Sequence, residues 1–246
     1  MMGRGFQRPE RNPSAAARWV EACSTSVRMR RPEQEIDLWQ VSLDRDGPEP
    51  SAELDAADLN RAERFRCPCA RLRFLQCRAA LRRVLARYLG AAPREVRLVS
   101  SLHGKPELAD ASAGLHFNLS HSDALALIAV SARPVGVDVE RLRDDLEWQQ
   151  LTRLCCTDDE RDAIGSSSSF LALWTAKEAY VKARGFGLQA PLTALRVVGR
   201  CIHAAAPWGD GKTWMLHSLN ELSGHVGAVA TPIEDAEIRR HRDPVL

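Results

Sequence analysis

The chain lays down one order of segments twice, and that repetition limits the folds open to it more than any other feature. In ARLRFLQCRAALRRVLARYLG (70–90), Leu72, Leu75, Ala79, Val84, Leu85 and Leu89 recur near helical spacing, and Gly90 supplies a C-terminal stop. The strand-like run EVRLVS (95–100) follows, then a turn at HGKPEL (103–108), then LHFNLSHSD (115–123) and ALALIAVS (124–131). The second pass opens on FLALWTAKEAYVKARGFGL (170–188), a helix ending near Gly185–Gly187. It continues through ALRVVG (194–199), TWMLHSL (213–219) and HVGAVAT (225–231). Placing Phe74-Leu75 on Phe170-Leu171 sets Ala80 on Ala176; a few positions further, EVRLVS meets ALRVVG and SDALALIAV meets LSGHVGAVA. The identities are few, and the alternative is that any helix–strand–strand unit resembles another; the expectation is an α+β protein of two similar halves packed as a pseudo-dimer, with the groove between them as the natural site.

Boundaries follow from the same pattern. Residues 1–33 read as a disordered tail, 34–133 as the N-terminal half, 134–232 as the C-terminal half with the site, and 233–246 as a C-terminal tail. IDLWQVSL (36–43) alternates as a strand, and 54–66 reads as a helix carrying Arg61, Arg64 and Arg66. One helix is expected over Leu146–Ile164, ending at a Ser-rich joint, Ser166–Ser169.

Composition excludes several classes. A net charge of +2 gives no overall case for nucleic-acid binding. No apolar run reaches the roughly 20 residues that span a bilayer. The start, MMGRGFQRPERNPSAAARWV, lacks the apolar core of a secretory signal; its Arg/Ser/Ala content resembles a transit peptide, but a disordered tail is the preferred reading. The seven cysteines form no C-x-x-C pair, which favours reduced thiols in a cytoplasmic protein. A zinc site built on Cys67 and Cys69 has the wrong ligand spacing.

The chemistry gathers in two places. GVDVE (136–140) follows an apolar run, and side chains alternate along a strand, so Asp138 and Glu140 point the same way. Two like charges on one face need a cation, or else a strand edge where Arg141 or Arg143 pairs with them. On the second long helix, Trp174, Glu178 and Lys182 fall at i, i+4, i+8 and share a face, with Lys177 one step round. Taken alone, Glu178 and Lys182 read as an exposed ion pair beside a core tryptophan. Taken together, Asp138, Glu140 and Glu178 are three hard oxygen ligands of the kind Mg²⁺ takes (Mn²⁺ being the alternative). Lys182, Lys105, Arg73, Arg61 and His121 are cations suited to phosphate, so the set points to a pyrophosphate ligand.

GVDVE and WTAKEAYVK (174–182) resemble the two signature motifs of the 4′-phosphopantetheinyl transferases; GKP (104–106) and FNLSHS (117–122) resemble the segments that precede them in the larger, surfactin-synthetase-activating type. The resemblance spans roughly 36–231 and implies the two-halved, monomeric fold of that type. It implies transfer of the phosphopantetheine arm of coenzyme A to a serine of an apo acyl or peptidyl carrier protein, releasing 3′,5′-ADP, in polyketide or nonribosomal peptide assembly. By the same resemblance, Asp138, Glu140 and Glu178 would hold Mg²⁺. Glu178 would take the serine proton and Lys182 would face the phosphate. Lys105, Ser120, His121, Arg61 and Arg73 would contact the phosphates of coenzyme A. The unusual CPCAR (67–71) leaves Arg71 and Arg78 as alternatives to Arg73. Trp148, Phe170 and Leu154 are suggested for a carrier-facing patch. The alternatives are a non-catalytic module binding coenzyme A or carrier protein, and a metal-dependent phosphohydrolase.

Overall fold

The computed structural model describes residues 19–20, 34–44 and 50–242. The expected disordered tail over 1–33 lies outside them, apart from Trp19–Val20. The strands are β1 (Trp19–Val20), β2 (Glu35–Ser42), β3 (Leu98–Ser100), β4 (Pro106–Leu108), β5 (His116–Ser122), β6 (Leu125–Ser131), β7 (Gly136–Arg141), β8 (Leu195–Val198), β9 (Cys201–Ala204), β10 (Trp214–Ser218), β11 (His225–Thr231) and β12 (Glu237–Arg242). The helices are α1 (Ala56–Ala62), α2 (Pro68–Leu89), α3 (Trp148–Cys155), α4 (Asp158–Ala163) and α5 (Ser167–Arg184).

Two five-stranded sheets form, in the orders β1-β12-β2-β6-β5 and β7-β11-β10-β9-β8. Within them, β2-β6-β5 with α2 inserted after β2 matches β7-β11-β10 with α5 inserted after β7. The sequence correspondence holds best at β6 and β11. It fails at EVRLVS: β3 leaves the main sheet and pairs only with β4, inside the segment read as a turn, whereas β8 belongs to the second sheet.

The packing follows from strand alternation. Trp39, Val41, Phe117, Ile128 and Val130 face Leu81, Val84 and Leu85 of α2. The opposite residues, Ile36, Leu38, Leu125, Leu127 and Ala129, meet Val137, Val139 and Val229 of the second sheet. The other face of the second sheet packs Ala228, Ala230, Trp214 and Leu216 against Phe170, Ala179 and Tyr180 of α5. The layers therefore run α2, sheet, sheet, α5. Gly90 (φ 66) closes α2, and Gly185 (φ 71) closes α5 at the stops expected from sequence.

Three polar arrangements fix further features of this frame. Arg82 of α2, fully buried, donates to Asp58 and to the Val96 carbonyl and also pairs with Asp55, the N-cap of α1. The helix expected over Leu146–Ile164 is broken in two: Cys156 and Thr157 are extended, and Glu160 Oε2 accepts from the Thr157 N–H (2.8 Å), which starts α4 afresh. Residues 233–246 are not simply a tail: Glu237–Arg242 enter the first sheet as β12, parallel to β2. There the buried His241 meets Asp37 Oδ1 at 2.7 Å and stacks on Trp39, while Tyr88 donates to Asp37 Oδ2. Only Ile238 of β12 is aliphatic, so its alternation is weak in sequence.

Candidate active site

The site lies where β5, the edge of the first sheet, crosses β7, the edge of the second. No backbone ladder joins these two strands. Alternate side chains of β5 do so instead: Asn118 Oδ1 accepts from the Val137 N–H (2.9 Å), Ser120 donates to Asp138 Oδ1 (2.8 Å), and Ser122 donates to Glu140 Oε2 (2.8 Å). The polar half of FNLSHS thus replaces the apolar contact that the rest of the inter-sheet face makes. Asn118, which opens a glycosylation-type N-L-S triplet, is buried in this seam.

Helix α5 closes the site from the other side. Gly136 is the reason it comes so near. A Cβ at that position would stand 2.0 Å from the Ala179 carbonyl oxygen and 2.5 Å from the Ala183 nitrogen, so no side chain fits. This close approach brings Lys182 onto β7: its Nζ donates to Asp138 Oδ1 at 2.5 Å and to Ser120 Oγ at 2.9 Å. The partner that the two strand carboxylates required is, first of all, this ammonium group rather than Arg141, which pairs with Asp123.

The electrostatics mark the same cluster. Burial raises the Glu178 carboxyl pKa and Asp138 raises it further, with Lys182 opposing. Burial also raises Glu140; the Ser122 hydrogen bond offsets part of that, and Asp138 adds to it. His121 is at the surface, yet desolvation and the charges of Lys182 and Arg73 lower its imidazole pKa. Glu140, Glu178, Asp138, Lys182, His121 and Arg73 therefore feel one another.

The donor set suits a hard divalent cation. All three candidate ligands offer carboxylate oxygens, and Asp138 Oδ2 is buried with no hydrogen-bond partner. Burial raises Glu140 and Glu178 and the charge of Asp138 adds to it; a cation would offset both. Among the described residues, no group of three or more His, Cys, Asp or Glu already stands in a ligating cluster.

The expected phosphate contacts are spread more widely. Lys105 Nζ donates to the Ala183 carbonyl at 3.2 Å, and burial lowers its pKa. Arg73 is held between Asp44 and Asp123, at 2.9 and 2.7 Å. Arg61 is exposed on α1, 5.5 Å from the centre of the Phe74 ring. With Arg64, Phe65 and Ser100 it lines an open cavity of ≈ 690 Å³. Ser120 holds Asp138 rather than standing free. Of the suggested carrier-facing residues, Phe170 is core at 1% exposure, Trp148 is half-buried and Leu154 is exposed.

Two contributors carry no assigned role in the sequence reading. Ser122 sits two residues from Ser120, so strand alternation alone could have placed it beside Glu140. Lys177 is fully buried, donating to Glu160 at 2.6 Å and to the Cys155 and Leu192 carbonyls. It anchors the back of α5 while its neighbour Glu178 faces the site. The six described free cysteines include Cys67 and Cys69, both exposed. No described helix is long and apolar enough to cross a membrane.

Asp138, Glu140, Glu178 and Lys182 gather where β5, β7 and α5 meet, three hard-oxygen donors beside one ammonium group. A family model, the 4′-phosphopantetheinyl transferase superfamily, matches residues 134–217, which contain all four of these residues. The 4′-phosphopantetheinyl transferase HetI of Nostoc sp. is 39% identical over 168 residues, covering 63% of this chain and 70% of the relative. A putative 4′-phosphopantetheinyl transferase of Synechocystis sp. is 33% identical over 164 residues, covering 63% and 67%. The 4′-phosphopantetheinyl transferase Sfp of Bacillus subtilis is 27% identical over 122 residues, covering 48% and 54%. The chain belongs to the 4′-phosphopantetheinyl transferase superfamily.

Proposed function

We propose that this protein transfers the 4′-phosphopantetheine group of coenzyme A to a serine of an apo acyl or peptidyl carrier protein, releasing 3′,5′-ADP. The observation that carries this reading is the convergence of Asp138, Glu140, Glu178 and Lys182 at the β5–β7–α5 junction, in a chain of this family. The serine hydroxyl oxygen attacks the phosphorus that carries pantetheine, the bond to the leaving 3′,5′-ADP breaks, and the serine proton goes to a base. Glu178, with its carboxyl pKa raised by burial and neighbouring charge, is matched to accept that proton directly or through a water molecule. Lys182 balances charge that builds on the phosphoryl oxygens and leaving group. His121, whose imidazole feels the Lys182 charge, and Lys105 would be further phosphate contacts, with Ser120 holding Asp138 in place. Arg61 lines the basic cavity beside α1. Arg73 would reach phosphate by exchanging one of its two carboxylate partners.

Asp138, Glu140 and Glu178 are the residues that would hold Mg²⁺, or Mn²⁺ in its place. Such an ion supplies charge neutralisation and polarisation of phosphoryl oxygens when bound. The protein acts as a cytoplasmic monomer on this reading, and the two halves pack as a pseudo-dimer, supported by their equivalent strand order. Intact-mass spectrometry of an apo carrier protein incubated with this chain, coenzyme A and Mg²⁺ tests the proposal. A gain of one phosphopantetheine is expected, absent with EDTA and with Glu178→Gln. Coenzyme A binding without any gain across several unrelated apo carriers would instead indicate a binding module.

A further inference from the structure

Each carboxylate of β7 is held by a serine of β5, and the second of these serines is outside the site as read from sequence. Ser120 Oγ accepts from Lys182 Nζ (2.9 Å) and donates to Asp138 Oδ1 (2.8 Å), leaving Oδ2 buried and without a partner. Ser122 repeats the arrangement one strand period on. Its Oγ accepts from the Arg141 N–H (3.1 Å) and donates to Glu140 Oε2 (2.8 Å).

A hydroxyl has one proton, so a donor already pointing at the oxygen directs that proton elsewhere, here onto the carboxylate. The backbone N–H of Arg141 is fixed by the strand, and therefore fixes the direction of the Ser122 hydroxyl. Glu140 thus has one oxygen taken and the other left, as Asp138 does. We propose that Ser122 is a positioning residue for the transfer: its hydroxyl clamps Oε2 of Glu140 so that Oε1 is presented to the divalent cation. This deepens the reading given above and rests on it. Without the clamp, the glutamate faces the charge of Asp138 with one hydrogen bond fewer and turns among its rotamers. Hydrogen-bonding partners of metal ligands act in this way at other sites, where losing one typically weakens metal affinity or activity about 10- to 100-fold.

The test is Mn²⁺ binding without coenzyme A, read as free Mn²⁺ by electron paramagnetic resonance, on the wild type, Ser122→Ala and Ser122→Thr. Steady-state transfer and thermal unfolding are measured on the same proteins. The alanine variant is expected to bind Mn²⁺ about 10-fold more weakly, and to lose kcat with KM for coenzyme A and the unfolding midpoint unchanged. The threonine variant, which keeps the hydroxyl, is expected to recover most of both losses. Alanine binding Mn²⁺ as tightly as wild type would overturn the positioning role while leaving the transferase reading intact. Equal losses in alanine and threonine would also overturn it, assigning the effect to packing. A wild type that neither binds Mn²⁺ nor transfers would overturn the functional reading, and the positioning role with it.

Discussion

Gly136 shows how much of the site depends on one missing side chain. Its φ needs no special freedom; the space is what matters, since the backbone of α5 occupies the position a Cβ would take. Adding a methyl group must push the helix away from β7, and Lys182 with it. Gly136→Ala is therefore expected to cost about 1–3 kcal/mol, the usual range for overpacking, and to abolish transfer more completely than that destabilisation explains. Urea denaturation measured beside the mass-spectrometric transfer assay separates the two effects; a stable, active variant would show that the helix can retreat without loss. Residue type and spacing made Asp138, Glu140, Glu178 and Lys182 legible in the sequence, because a carboxylate pair on a buried strand and a Glu/Lys pair one helical turn apart are local patterns. Ser122 shares that locality and was passed over because a serine on a strand carries little chemistry by itself.

At the scale of elements, α5 is held from behind by a buried ion pair. The Glu160 carboxylate takes Lys177 and two backbone N–H groups, from Thr157 and Val197, so α4, β8 and α5 meet on one side chain. Burial alone would raise the Glu160 pKa; these hydrogen bonds and the lysine charge outweigh it, and the net shift is downward from 4.5. A carboxyl with a folded-state pKa below its unfolded value stabilises the fold above the unfolded pKa, and that contribution disappears as pH falls through the folded pKa. Glu160→Gln is expected to be less stable than wild type near neutral pH, with the gap closing below about pH 4.5. Denaturation midpoints across that range check the sign; a gap that widens on acidification would reverse it. The break between α3 and α4 is hard to read from sequence, although T-x-x-E is a local signal, because no Gly or Pro interrupts Leu146–Ile164 and the stretch reads as one helix.

For the whole molecule, β12 is the element that carries the chain's end back to its beginning. It lies between β1 and β2, and its His241 completes a buried group with Asp37, Tyr88 and Trp39. Replacing His241 by Leu removes the partner of one Asp37 oxygen inside the core, which should cost about 1–3 kcal/mol. The loss should register in the first half of the molecule, and hydrogen exchange of β2 amides is the direct readout. Protection of β2 unchanged from wild type would mean that Tyr88 alone satisfies Asp37.

The α+β class, the long helices with their glycine stops and the side-chain types of Asp138, Glu140, Glu178 and Lys182 are local features of the sequence. Each of these is written in neighbours a few residues apart, where periodicity and side-chain type act directly. Long-range packing, by contrast, sets Lys182 on Asp138, the β5 serines on the β7 carboxylates, Arg73 between two aspartates and the C-terminal segment in the first sheet. Those contacts join residues far apart in the chain, and their partners are selected by how two sheets and two helices fill space together.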